Sequence, residues 1–113
     1  MLLFILQASA QHPVVQRVIQ KDPQLLIERQ QNENSYIVAI ATDPNTRTSY
    51  LISRYGFVAD SVAVSPADLQ LIAQKKVSAF THYQAITGKM TQIVNTARQQ
   101  LRNTGSLDKN WPY

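Results

Sequence analysis

Up to Val64 the apolar residues of this chain fall in short runs or alternate with polar ones; beyond it they recur three and four apart. The first pattern is that of strands and the second that of helices. The opening run Met1–Leu6 carries Phe4 and Ile5 and no charge, which suits a strand buried on both faces. After a short polar connector, Pro13 stands where a helix tolerates it, in the first turn. Val14, Val15, Val18 and Ile19 then form one apolar face, and Pro23 ends the segment. His12 reads as the residue that precedes and caps this helix.

Four further runs read as strands. In Gln24–Gln30, Leu25 and Ile27 share one face while Leu26 and Glu28 share the other. Ser35–Thr42 places Tyr36, Val38 and Ile40 on a bulky face and Ile37, Ala39 and Ala41 on a face of mostly small residues. A central strand packed closely by a helix on its small side is the expectation. Asp43-Pro44 fits the first two positions of a type I turn. Thr48–Arg54 follows, with Tyr50 and Ile52 opposed to Leu51. Phe57–Val64 has Val58, Val62 and Val64 on one face, interrupted by Asp60, which implies an edge or a bulge.

Ser65-Pro66-Ala67-Asp68 marks a helix start, with a serine cap, a proline at the first position and an acid near the positive end of the dipole. The apolar stripe then runs from Leu69 through Ile72, Val77, Phe80, Tyr83, Ile86, Met90, Ile93 and Val94 to Leu101. Its phase is kept across Gly88, so the expected break lies near Lys75, with a long second helix to about Arg102 closed by Gly105. On that winding Tyr83 faces the core and His82 points sideways or outward.

The pattern implies an α+β fold: a mainly antiparallel sheet of four or five strands from residues 1–64 with a short helix, covered on one face by a long C-terminal helix or helix pair. A single domain over residues 1–105 with a polar tail at 106–113 is the simplest division of 113 residues. Such a length buries enough surface for a core without crosslinks. There is no cysteine, which removes disulfides and thiolate chemistry together.

Charge adds one asymmetry. Residues 1–65 are balanced, and the whole excess of +4 lies in residues 66–113. A positive field there would attract nucleic acid, an acidic protein or an anionic surface. Thirteen glutamines solubilise the remaining surface with amides, leaving few ions to define a partner. Lys75, Lys76, His82, Lys89, Arg98 and Arg102, together with Trp111 in the tail, are the candidate partner-binding residues. The three basic residues of the long helix, Lys89, Arg98 and Arg102, lie on different sides of it, so they make no phosphate-tracking stripe.

The inventory for catalysis is thin. Two histidines and seven carboxylates show no metal-ligand spacing, and three glycines cannot build a phosphate cradle. No catalytic residue, cofactor or metal is therefore expected. Met1–Leu6 lacks the basic start and the length of an export signal, and no apolar run approaches a membrane span, which favours a cytoplasmic chain over an exported one. The expected function is a small non-enzymatic interaction or assembly module that self-associates or docks on a larger protein. The alternative is a basic nucleic-acid-binding accessory protein using the C-terminal half, and a sheet–helix cleft that binds or hydrolyses a small molecule needs no motif.

Overall fold

A computed structural model describes residues 12–30 and 36–95 of the chain. Helix α1 spans Pro13–Ile19 and is followed by four strands: β1 (Leu26–Arg29), β2 (Ile37–Asp43), β3 (Thr48–Ser53) and β4 (Val58–Ala63). Two short helices, α2 (Pro66–Ala73) and α3 (Ala79–Thr87), come next, and residues 90–95 are again helical. The strands form one antiparallel sheet in the order β1-β2-β3-β4, each paired with its sequence neighbour. Met1–Leu6, the proposed fifth strand, lies outside the described residues.

The sheet has a core on each face. On one side Val14, Val15 and Val18 of α1 meet Leu25, Ala39, Ala41 and Ile52. The two alanines of β2 let the helix approach closely, as their size implies. On the other side Ile72, Ala79 and Tyr83 of α2 and α3 pack on Ile37, Ile40, Leu51 and Val64. Met90, Ile93 and Val94 add to this second core. The architecture is thus helix, sheet, helix, with β2 buried on both faces.

Two bulges change the strand phases that strict alternation implies. The β2–β3 register slips between Ile37 and Ala39, placing Val38 and Ala39 on the α1 side together. Ile37 consequently joins Ile40 on the bulky face instead of the small one. In β4 the register slips where Leu51 pairs with Asp60 and Ile52 with Val58, so Ala59 is the extra residue. Val58 therefore faces α1, whereas Ala59 and Val62 face α2 and α3. An inserted residue shifts everything beyond it by one step of the pleat.

The long C-terminal helix does not form within the described residues. The chain breaks near Lys75, as expected, but it breaks again at Gly88, which caps α3 in the left-handed conformation at φ 62°. A preserved apolar phase shows only that both segments face one core, not that the backbone between them is helical. The ends of α1 and α2 share one device. Lys21 and Lys75 have φ 56° and 60°, and each closes a helix with paired bonds to the last carbonyls. Lys21 N–H donates to Val18 O and Asp22 N–H to Arg17 O; Lys75 N–H donates to Ile72 O and Lys76 N–H to Leu71 O. This is the helix-ending arrangement in which glycine is the usual occupant. The α1 helix accordingly ends at Ile19, with Lys21 closing it, well before Pro23.

Polar ties fix the helices to the sheet. Arg17 on α1 donates through Nε to Asp22 at 2.7 Å and through an η nitrogen to Asp43 at the end of β2 at 2.6 Å. The bond to Arg17 and the Gln24 N–H hold the Asp22 carboxyl below its ordinary range. Burial pushes Asp43 upward, but Arg17 and the Asn45 amide outweigh it and hold it low as well. Across the sheet, the Tyr83 hydroxyl donates to Asp60 at 2.5 Å, tying α3 to β4. Asp60 thus stands on an edge strand beside a bulge and serves as a hydrogen-bond acceptor for the core.

Burial, and then the Asp60 carboxylate, push the Tyr83 phenol up to about 12 from an ordinary 10. The raised value means that Tyr83 supports the fold fully below pH 10 and ceases to do so as pH rises toward 12, because the unfolded chain ionises first. Urea titrations of the parent and Tyr83→Phe are expected to differ by about 2 kcal/mol at neutral pH. That difference should shrink through this alkaline window.

Candidate functional site

The two outer strands of the described sheet present different edges. In β1 the register with β2 pairs Leu26 with Thr42, Ile27 with Ala41 and Glu28 with Ile40. Gln30 N–H donates to Val38 O at 2.7 Å, which identifies the hydrogen-bonded pairs as residues 30, 28 and 26 of β1. The N–H and C=O of Ile27 consequently point away from β2, along the outer edge. The β4 edge is bulged at Ala59, a feature that breaks a continuous pairing surface.

Beside the β1 edge lies a groove of about 590 Å³. Leu25–Arg29 form one wall; Ile72 and Ala73 of α2, Lys75, and Val77–Ala79 form the other. Its lining is mostly aliphatic, with Glu28, Arg29, Lys75 and Ser78 as the polar members. The wall from α2 and α3 is held against β1 by Glu28. One carboxylate oxygen accepts the Ala79 N–H at 2.8 Å and the other accepts the Ser78 hydroxyl. Glu28 thereby neutralises the positive end of α3, a favourable place for a carboxylate. Ser78 Oγ also accepts the Thr81 N–H, so one serine joins the strand to the helix cap.

The residues singled out in the sequence do not gather into one surface. Lys75 lines the groove. Lys76 and Lys89 are exposed, at the α2–α3 turn and just beyond Gly88. His82, expected to point sideways or outward, is instead buried, with 7 % of its surface exposed. Its Nε2 lies 3.3 Å from an Asp68 oxygen on α2, and its buried Nδ1 has no hydrogen-bond partner among the described residues. The cause is that the α2–α3 turn folds α3 back against α2, so α3 buries a second side beside the Tyr83 stripe. Arg98, Arg102 and Trp111 lie outside the described residues.

Glu28, Ile27 and Ser78 were not among the expected site residues. A lone acid in an otherwise apolar strand and a serine at a helix start were the available signals; their meeting across 50 residues was not. A fully buried polar pair on the same face of the sheet, Thr42 and Ser49, joins β2 to β3 through hydroxyls 2.7 Å apart. No cluster of metal-ligating side chains occurs among the described residues, and no described helix is long and apolar enough to cross a membrane. Comparison with protein-family models, curated proteins and solved structures finds no match.

Glu28→Gln keeps the size but leaves one neutral acceptor oxygen in place of two charged ones and sets an NH2 donor against the other partner. It is expected to cost about 1–2 kcal/mol in urea unfolding, in keeping with loss of charge-assisted hydrogen bonds. An unchanged midpoint would show that Glu28 does not hold the groove wall.

Proposed function

We propose that this domain is a non-enzymatic protein-interaction module that takes an extended apolar segment of a partner protein onto the β1 edge. The supporting observation is the coincidence of an outward-facing backbone at Ile27 with a mainly aliphatic groove along the same strand. Main-chain hydrogen bonds to such an edge supply affinity that tolerates many sequences, while a flanking groove selects the side chains at alternate positions. Glu28 fixes the far wall, so the groove is held in shape before anything enters it, which lowers the ordering cost of binding.

The nucleic-acid reading loses one of its residues, since the buried His82 cannot join Lys75, Lys76 and Lys89 on a surface. Among the described aromatics, His12 and Tyr50, with ring centres 4.9 Å apart, are engaged with each other beside α1, and Tyr36 and Tyr55 pair at 6.3 Å.

The test is fluorescence anisotropy with labelled hexapeptides of alternating Val and Thr, which favour extended backbone. The parent protein is expected to bind them and Ile27→Pro to fail, because proline removes the outward N–H while leaving the β2-facing amides of Leu26 and Glu28 intact. Circular dichroism verifies that this variant folds. Ala73→Trp, which fills the groove from α2 without altering the strand, is expected to weaken binding too. Equal binding by all three proteins would contradict the reading.

A further inference from the structure

Resting on that reading, we infer that the groove prefers an extended apolar segment that carries a carboxylate over one that carries a cation. The charged residues of the groove lining are Arg29, which is already engaged, Lys75 and the acid Glu28. Their charges are not equally available. Both oxygens of Glu28 are engaged by Ser78 and the Ala79 N–H at the start of α3, where the helix dipole further offsets the negative charge. Lys75 is exposed and forms no ion pair among the described residues.

The backbone also presents Lys75 at a fixed place. Its left-handed conformation is locked by the bonds that end α2, and Lys76 and Val77 N–H both donate to Leu71 O. A strand laid along Ile27 therefore meets the Lys75 ammonium on the far wall, beside aliphatic side chains that favour the rest of the segment. An acid at one end of such a strand gains a partner; a lysine there meets repulsion. Because the wall is open to solvent, the preference is modest and sensitive to salt.

Two labelled, end-capped hexapeptides with the same Val-Thr alternation and a final Asp or Lys test this directly. The Asp peptide is expected to bind about five-fold more tightly, a ratio that falls toward unity in about 1 M salt. Lys75→Gln should shrink the ratio and Lys75→Glu should reverse it, with thermal unfolding confirming that both variants fold. Equal affinities for the two peptides, or a ratio indifferent to Lys75→Glu, would overturn the charge preference while leaving strand addition standing. Failure of both peptides to bind the parent would overturn both.

Discussion

Burial of β2 on both faces is the constraint from which the rest of this structure follows. Ile37, Ala39, Ile40, Ala41 and Thr42 are all excluded from solvent, so neither side of the strand tolerates water. Small side chains on one face admit α1, and large ones on the other demand the wider cover supplied by α2 and α3. Apolar burial of this kind is worth roughly 1.5–3 kcal/mol for each large aliphatic side chain. Exposing either face would forfeit several such contributions at once. A sheet covered in this way is accessible chiefly through its outer strands.

The outer strands are treated differently. The β4 edge is interrupted by a bulge and bound to α3 through Asp60 and Tyr83. The β1 edge is short and regular, and Glu28 ties it to the start of α3, fixing the opposite wall of the groove in place. Natural sheets protect edges by bulges, by charge or by covering. Here the first device appears on β4 and basic residues flank β1. The proposed interaction uses the edge that keeps a regular backbone.

Much of this architecture was legible in single residues. Ala39 and Ala41 announced a close-packed helix, Ser65-Pro66 announced the start of α2, and Asp60 announced an irregular or outer strand. What escaped depends on information that alternation and spacing do not carry. A bulge at Val38 moves Ile37 to the other face without any residue that marks it. Lys21 and Lys75 adopt a conformation usually left to glycine, so the end of α1 was assigned to Pro23. Gly88 was visible, yet apolar phase continued through it because both flanking helices share one core. The groove was invisible for a stronger reason: Glu28 and Ser78 are brought together only by the tertiary fold.

The central claim is that β1 is shielded on its faces and, among the described residues, open along its edge. Amide hydrogen exchange in the full chain, read residue by residue, tests it most directly. Leu26 and Glu28 should exchange slowly because they pair with β2, while Ile27 between them exchanges far faster. Protection of Ile27 equal to that of its two neighbours would mean that the edge is already covered, and the account would fail.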